Sequence, residues 1–276
     1  MQSSNIAVSF VRNIAKPDVS SVMAVAAHPD DEVIGAGGHL RFWPGLTVVH
    51  VTNGAPRDPR YAQSLGFPDP SAYAVARRHE AEQALGLIGL SSDRIVALNI
   101  DDQEASFRLV EIARQLHRMF TVVRPEVVVT HPYEGGHPDH DAACFAVHAA
   151  CQLARKTKSP IPAVVEMSSY FGRNGDRVVY SFLEDRPQRA TVNLDAAARE
   201  LKRRMLDCYV SQRDVIGLFP VEIECFRPAP NYDFRNPPHD GRLFYEYHNL
   251  GIDGAHWRIA AAEALRELDL ANCNSL

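Results

Sequence analysis

The segment AAHPDDE at residues 26–32 decides the interpretation of this chain. It follows an apolar run at residues 22–27 that predicts a buried strand, so one histidine and three acids come directly after the strand's carboxyl end. In open α/β sheets, ligands bind at this end of the strands. Adjacent carboxylates repel each other unless a cation or a proton-transfer role occupies them. The segment therefore indicates a metal site with a spare general base.

A second polar segment, THPYEGGHPDHD at residues 130–141, follows another β-branched apolar run at residues 127–129. Because the carboxyl ends of parallel strands lie at one edge of a sheet, the two segments are expected to meet. A catalytic zinc needs three protein ligands from His, Asp or Glu and one open position. Together the two segments supply such a set.

The AHPDDE motif at residues 27–32 and the HPDHDA motif at residues 137–142 resemble those of the LmbE-like (PIG-L) de-N-acetylases. These are zinc hydrolases that remove acetyl groups from N-acetylglucosamine-type sugars. The resemblance runs from about Val22 to Asp141. It implies a metal-dependent N-deacetylase or amidase, whose substrate is a small N-acetylamino sugar or its conjugate.

On the family pattern, His28, Asp31 and His140 bind the metal. Two imidazoles and a carboxylate suit Zn²⁺ and tolerate Fe²⁺ or Co²⁺. Asp30, left uncoordinated beside Asp31, is expected to accept a proton from the attacking water and to return it to the leaving amine. A structural histidine or a helix cap is the alternative for each of these residues.

The HPDHDA motif contains two further candidates. His137, protonated, is expected to stabilise the oxyanion, and Asp139 is expected to orient one of the histidines. Asp141 is interpreted as a helix cap. Glu32 completes the first motif and is interpreted as a structural anchor.

Three residues are candidates for substrate binding. Arg77 lies in a sequence that resembles the family's R-x-x-E-A helix, whose arginine the resemblance places at the substrate. Arg57, in a predicted loop after the second strand, is either a substrate contact or a solvated arginine. Tyr133 is an oxyanion candidate, although some relatives have their tyrosine at the position of Gly135. The acids that follow the third strand, 101–104, are either a solvated loop or part of the pocket wall.

The order of elements predicts an α/β, Rossmann-like fold with a mostly parallel sheet flanked by helices, because β-α units repeat with right-handed crossovers. Predicted strands at 21–27, 47–52, 94–100 and 126–131 alternate with predicted helices at 31–42, 71–87, 107–120 and 141–156.

We expect a single domain over residues 1–276. Residues 1–20 are predicted to form an arm or edge strand, 21–160 the α/β core with the metal site, and 161–276 a part that shapes the substrate pocket. That last part is predicted to contain a hairpin whose turn lies at 173–176 and a helix at 194–210 with Lys202, Arg203 and Arg204 towards solvent. An irregular layer of strands and loops is predicted at 220–254, and a final helix at 257–270.

The composition is that of a globular protein, with 46% hydrophobic and 23% charged residues. A formal net charge of −5 argues against nucleic-acid binding. No stretch predicts a membrane span or a signal peptide, and the five cysteines form no CxxC pair, which is typical of a reducing compartment. We therefore expect a cytoplasmic protein, for which a homo-oligomer is open.

Two other functions remain open. The same metal site is compatible with an amidase that cuts a larger amide or a thiol conjugate. A protein of another class would use the metal only for stability while it binds a glycan or a nucleotide. Gly35, Gly37 and Gly38 match a dinucleotide fingerprint only in part, since that motif needs a glycine where Leu40 stands, and close packing of a helix on the sheet explains them equally well.

Overall fold

The structure is a computed structural model that describes residues 2–173, 175–184, 188–248 and 250–271. Its main sheet has seven strands in the order β3-β2-β1-β4-β5-β9-β8, and β6 and β7 form a separate hairpin. The strands are β1 (Val22–Ala26), β2 (Thr47–Pro56), β3 (Ile95–Asp102), β4 (Val127–Thr130), β5 (Ala163–Met167), β6 (Tyr170–Arg173), β7 (Asp176–Val179), β8 (Ala190–Asn193) and β9 (Ile223–Pro228).

Helices cover both faces of this sheet. They are α1 (Gln2–Arg12), α2 (Asp31–Ala36), α3 (Pro59–Ser64), α4 (Pro70–Gly86), α5 (Leu109–Val123), α6 (Pro138–Lys156), α7 (Ala196–Leu206), α8 (Arg213–Ile216), α9 (Phe244–Tyr247) and α10 (Gly254–Glu267). Short 3₁₀ turns occupy Leu40–Phe42, Ser92–Arg94, Ala105–Phe107 and Val210–Gln212. None of the helices within the described ranges is long and apolar enough to cross a membrane.

Strands β1 to β5 are parallel, which confirms the predicted mostly parallel α/β sheet. Strand β1 lies between β2 and β4, and all residues of β1 and β4 are buried, as expected for a parallel sheet covered on both faces. The chain builds β2 and β3 on one side of β1 and β4 on the other. The two motif segments therefore leave the sheet side by side at its topological switch point, where ligands bind in this architecture.

Alternate residues of β1 enter two separate cores. Ala24 and Ala26 face a core that includes residues of α1, α4 and α7, such as Phe10. Met23 and Val25 face a second core that includes residues of α5, α6 and α10, such as Trp257. This alternation gives the sheet a helical layer on each face.

The N-terminal segment differs from its prediction. Instead of an arm or an edge strand, residues 2–12 form α1, and Phe10 and Val11 on this helix are buried. Phe10 packs against Trp43, with ring centroids 5.6 Å apart. The apolar positions recur with helical spacing, and burial against the core outweighs the polar residues between them.

Several predicted boundaries were also wrong. The helix after the first motif ends at Ala36 rather than Phe42, and β2 continues through the predicted loop to Pro56. Residues 220–254 are not wholly irregular, because they contain β9, which lies antiparallel between β5 and β8. The predicted hairpin exists as β6 and β7, although Asn174 at its tip lies outside the described residues.

The three glycines near α2 serve packing, as the alternative interpretation expects. A Cβ atom would lie 2.8 Å from Met167 at Gly35 and 2.7 Å from Leu194 at Gly38. Lys202, predicted to face solvent, is instead fully buried and forms an ion pair with Glu224 at 2.9 Å.

Candidate active site

The residues that follow β1, β3 and β4 line one cavity of about 290 Å³. Acids and histidines of the two motifs form its floor, and residues of the C-terminal part complete its wall. The residues that line the cavity include His28, Asp30, Asp31, Tyr61, Arg77, Asp102, His137, His140, Tyr170, Arg177, Gln212, Phe219 and Phe244.

His28 is surrounded by carboxylates. Its Nδ1 lies 3.0 Å from Asp31 Oδ2, and its Nε2 lies 3.1 Å from Asp102 Oδ1 and 3.3 Å from Asp139 Oδ2. Burial lowers the pKa of His28, but the charges of Asp102 and Asp31 outweigh burial and hold it well above its ordinary value. This imidazole therefore lies in a strongly negative environment.

Asp31 links the histidines of both motifs. Its Oδ1 lies 3.3 Å from His140 Nε2, and its Oδ2 lies 3.5 Å from His131 Nε2. Burial acts to raise the pKa of Asp31, but His140, His131 and His28 hold it well below the ordinary value. Burial lowers the pKa of His140 to about 4, so this imidazole is neutral at physiological pH and has a lone pair to offer a metal.

The predicted metal ligands contact one another in pairs. One candidate group joins His28 and His140 with His137, and a second joins Asp31 and His140 with His131. In each group, the ligand atoms lie within 4.8 Å of one another. The structure thus brings His28, Asp31 and His140 together, and two further imidazoles border the same space.

The charge balance of the floor suits a cation. Asp30, Asp31, Asp102 and Asp139 cluster around His28 and Arg77. A surplus of buried carboxylates is unfavourable without a neutralising charge. A divalent ion held by His28, Asp31 and His140 would offset this surplus, so the residues fit a metal.

Asp30, the predicted base, lies beside Asp31 in an unusual backbone conformation. It precedes α2 with a φ of 152°, a conformation that non-glycine residues rarely adopt. Its Oδ2 accepts from Arg77 Nη2 at 3.0 Å, and the same guanidinium donates to Pro29 O at 2.7 Å. Burial raises the pKa of Asp30 to about 7, although Arg77 opposes this shift. A carboxylate with this pKa accepts and returns a proton near neutral pH.

Arg77, predicted to contact the substrate, bonds several groups of the protein itself. Its side chain is buried, and besides Asp30 and Pro29 it donates to Gly54 O at 3.2 Å. Three acceptors, two from the segment after β1 and one from β2, thus orient one guanidinium, and that guanidinium positions Asp30.

His137 begins α6 as its N-cap residue, where its Nδ1 accepts from the Asp139 N–H at 3.1 Å. With Nδ1 as acceptor, the neutral tautomer carries its proton on Nε2. Burial lowers the pKa of His137 to about 3. The geometry therefore favours a neutral donor rather than the protonated histidine that the sequence suggested.

Asp139 orients His28, in keeping with its predicted role. It is fully buried and accepts from the Gln103 N–H at 2.7 Å and the Ala105 N–H at 3.1 Å. These bonds hold its carboxylate beside His28 Nε2. The same contacts fasten the segment after β3 against α6.

Two predicted substrate contacts lie elsewhere. Arg57 is exposed, pairs with Asp101 at 2.7 Å and Glu104 at 3.2 Å, and does not line the cavity. The Tyr133 hydroxyl donates to Asn236 O at 2.9 Å, and its ring packs among aromatic residues that include Trp257. Tyr133 is thus a core residue rather than part of the cavity wall.

Asp141 and Glu32 have structural roles. Asp141 is not the N-cap of α6; its Oδ1 accepts the backbone N–H groups of Glu134 and Gly135 at 3.1 Å each and so holds the loop that leads to the helix. Glu32 is a buried anchor, as expected, and bonds His50 Nε2 at 3.1 Å.

The sequence analysis missed several cavity residues. Asp102 lines the cavity, which decides between the two alternatives left open for acids 101–104. His131 lies beside Asp31 and His140 without lining the cavity, and its signal was its position directly after an apolar strand. Tyr170 had none: it lies on β6, and its ring centroid is 5.5 Å from that of His140. Gln212, Phe219 and other residues of the C-terminal wall likewise enter through long-range packing.

The chain is similar to a family and to several known proteins. The family model described as PIG-L: GlcNAc-PI de-N-acetylase matches residues 23–151. The chain is 28% identical over 144 residues to the probable N-acetyl-alpha-D-glucosaminyl L-malate deacetylase 2 of Bacillus cereus, a match that covers 51% of this chain and 64% of the relative. It is 32% identical over 162 residues to the 1D-myo-inositol 2-acetamido-2-deoxy-alpha-D-glucopyranoside deacetylase of Corynebacterium efficiens, with 50% and 52% covered.

The chain thus spans between half and two thirds of the length of these curated relatives. Among solved structures, the A40926 pseudoaglycone deacetylase Dbv21 shares the fold, with a TM-score of 0.59, 20% identity, and coverage of 76% of this chain and 97% of that one. Both motifs lie within the matched residues 23–151, and in these residues the chain is similar to the PIG-L (LmbE-like) family.

Proposed function

We propose that this protein is a metal-dependent hydrolase of an acyl-amide bond that removes the acetyl group from an N-acetylamino sugar of the GlcNAc type or from its conjugate. The observation that carries the proposal is the position of Asp30, a buried carboxylate that accepts from Arg77 Nη2 at 3.0 Å beside residues that could hold a metal ion. The names of the two curated relatives, both deacetylases of N-acetylated glucosamine derivatives, support this substrate class.

In this proposal His28, Asp31 and His140 hold Zn²⁺, for which Fe²⁺ or Co²⁺ can substitute. The bound ion would polarise the acyl carbonyl and acidify a water molecule. Donor type supports the assignment: the neutral His140 imidazole, the His28 imidazole and the ionised Asp31 carboxylate face a common space. His131 lies behind this set, where its Nε2 accepts from the Ala27 N–H at 3.0 Å.

In this proposal, the protein residues around the metal transfer the proton, position the base and stabilise the oxyanion. Asp30 accepts the proton of the attacking water and later delivers it to the departing amine. Arg77 keeps the Asp30 carboxylate in place at 3.0 Å. His137, with its proton on Nε2, donates to the oxyanion that develops on the acyl oxygen.

Cellular location is part of the proposal. Cys144, Cys151, Cys208 and Cys225 are free thiols, which is typical of proteins in a reducing compartment. We therefore place the protein in the cytoplasm, acting on a small molecule.

The first test measures metal content and amine release together. Purified protein is analysed for metal, and amine release from a panel of N-acetylated sugars is followed before and after chelation. We expect near-stoichiometric zinc or iron, and amine release that stops on chelation and returns with metal. Protein that takes up no metal even when it is supplied would refute the proposal.

A larger amide is the second candidate, because aromatic and aliphatic side chains form much of the wall above the floor. Val215, Phe219 and Leu250 are three of them. Adding amides with bulky apolar substituents to the same panel separates the two candidates. Bound metal without release from any amide would favour a binding protein instead.

A further inference from the structure

We propose that Arg177 makes the enzyme select N-acylated substrates that carry an anionic group, a phosphate or a carboxylate, at the end remote from the scissile amide. This inference rests on the proposed function, since it concerns the same cavity. It adds a feature of the substrate that the metal site does not specify.

Arg177 lies on β7, where the β6–β7 hairpin borders the cavity. Its guanidinium carbon lies 4.9 Å from the ring centroid of Tyr170, 5.6 Å from that of Phe244 and 6.0 Å from that of Phe219. These rings come from three separate elements. Aromatic faces hold a planar guanidinium in place without neutralising its charge.

The charge of Arg177 is not used within the described part of the chain, where no carboxylate lies within ion-pair distance of it. The other arginines near the cavity differ. Arg77 pairs with Asp30 at 3.0 Å, and Arg57 pairs with Asp101 at 2.7 Å. Arg177 therefore offers a positioned cation to a molecule that enters the cavity.

The distribution of charge in the cavity favours one orientation of a bound substrate. Acids crowd the floor around His28, whereas Arg177 is exposed at the edge. A substrate whose amide lies at the floor and whose anionic group lies at the edge meets the guanidinium and avoids the carboxylates. Phosphates and carboxylates match the fork of a guanidinium with two parallel hydrogen bonds.

Arg173 on the same hairpin provides a matched control. It is also exposed, and its guanidinium carbon lies 5.6 Å from the ring centroid of Phe171, but it does not line the cavity. If Arg177 only covered aromatic rings, the two arginines would be equivalent.

The test compares three substrates that share the acetamido group: N-acetylglucosamine 6-phosphate, N-acetylglucosaminuronic acid with its carboxylate at C6, and the uncharged methyl glycoside of N-acetylglucosamine. For the wild type we expect a higher kcat/KM on at least one anionic substrate than on the methyl glycoside. Which of the two is preferred distinguishes phosphate from carboxylate. Arg177→Gln should lower the anionic-to-neutral ratio of kcat/KM about 10–100-fold, the loss expected for one charge-assisted hydrogen bond.

Two further variants sharpen the result. Arg177→Lys should retain part of the ratio, and added salt should reduce the preference of the wild type. Arg173→Gln should leave the ratio unchanged. A wild type with no preference for either anion, or an Arg177→Gln variant that loses activity equally on all three substrates, would overturn the inference.

Binding measurements distinguish a failure of this inference from a failure of the proposed function. If no substrate of the set is hydrolysed, the deacetylase proposal fails in its present form. Titration calorimetry of the metal-loaded protein with glucosamine 6-phosphate, glucosaminuronic acid and methyl glucosaminide then decides the role of Arg177. Tighter binding of either anion that Arg177→Gln abolishes keeps the selectivity; binding that ignores both the anionic group and the substitution refutes it.

Discussion

Asp30 concentrates several unusual properties in one residue: a positive φ, burial beside a second acid, and a single buried arginine as its charge partner. Each of these is unfavourable for folding, and together they are typical of a functional site. Arg77 has two effects on this carboxylate, since it fixes the position of the group and opposes the rise of its pKa. A substitution of Asp30 therefore tests the proposed chemistry most directly.

Asp30→Asn should reduce kcat by about 10²–10⁴-fold while the protein keeps its metal, because asparagine cannot accept a proton and position 30 is outside the proposed ligand set. Asparagine also tolerates a positive φ better than most residues. Amine release and metal analysis on the same preparation check both parts. Asp101→Asn, at the exposed Arg57 pair, is the control; an Asp30→Asn variant with near-normal turnover would remove the assigned base.

The raised pKa of Glu134 predicts that the free energy of unfolding depends on pH. Burial raises the pKa of Glu134 from 4.5 to about 8, against the opposing charge of Arg227. Between these values the folded protein holds a proton that the unfolded chain releases, so the free energy of unfolding falls by about 1.4 kcal/mol for each pH unit. The loss levels off above the folded pKa.

Glu134→Gln should therefore flatten the decline of stability between about pH 5 and 8. Glutamine keeps the acceptor oxygen that bonds the Leu183 N–H at 2.8 Å. Asp141, whose pKa burial also raises to about 8, retains its own contribution, so some slope remains. Urea unfolding across this pH range gives the answer, with exposed Glu111→Gln as the control. An unchanged slope would mean that Glu134 does not hold its proton in the folded state.

At the scale of elements, the β6–β7 hairpin packs tightly on the loop that joins β4 to α6. A Cβ atom at Gly136 would overlap the carbonyl oxygen of Tyr170, and one at Gly172 would lie 2.6 Å from Phe244. The hairpin carries Tyr170 and Arg177, and the loop leads into His137. Glycines thus let two elements that hold the wall and the floor of the cavity approach each other.

Gly136→Ala should lower stability by about 1–3 kcal/mol and also lower kcat/KM, because the methyl group must push the hairpin away from the catalytic loop. Thermal unfolding and amine release measure the two effects. Gly86→Ala is a matched control, since nothing lies within 4 Å of a Cβ atom at that position. If Gly136→Ala behaves like Gly86→Ala, the close approach has no role in placing the site.

At the scale of the whole molecule, one buried ion pair connects the C-terminal part to the first motif. Lys202 on α7 bonds Glu224 on β9 at 2.9 Å and donates to Ile34 O on α2 at 2.8 Å. Glu224 also accepts from the Gly38 N–H at 2.8 Å and contacts His39. Helix α2, which begins with Asp31, is thereby held against the antiparallel edge of the sheet.

Lys202→Met should destabilise the protein by about 3–5 kcal/mol, since it leaves Glu224 charged and buried without its partner. The double variant Lys202→Met/Glu224→Gln should recover part of this loss, which a double-mutant cycle in urea measures. Arg203→Met, next in the chain and exposed in a pair with Glu200, is expected to change stability by less than about 1 kcal/mol. A Lys202→Met protein as stable as the wild type would show that the pair contributes nothing.

The sequence by itself determined the strands that carry the site, their order, and the position of both motifs after strand ends. Hydrophobic periodicity and charge are local properties, so β1, β4 and the AHPDDE and HPDHDA segments could be predicted, together with Asp30 beside the proposed ligands. Only the tertiary structure decided that Lys202 is buried, that Tyr133 lies in the core, that Arg77 bonds Asp30 and that Tyr170 and Arg177 border the cavity. These outcomes depend on contacts between residues 30 or more positions apart, and the pattern of the nearby residues does not specify which distant side chain will be the partner.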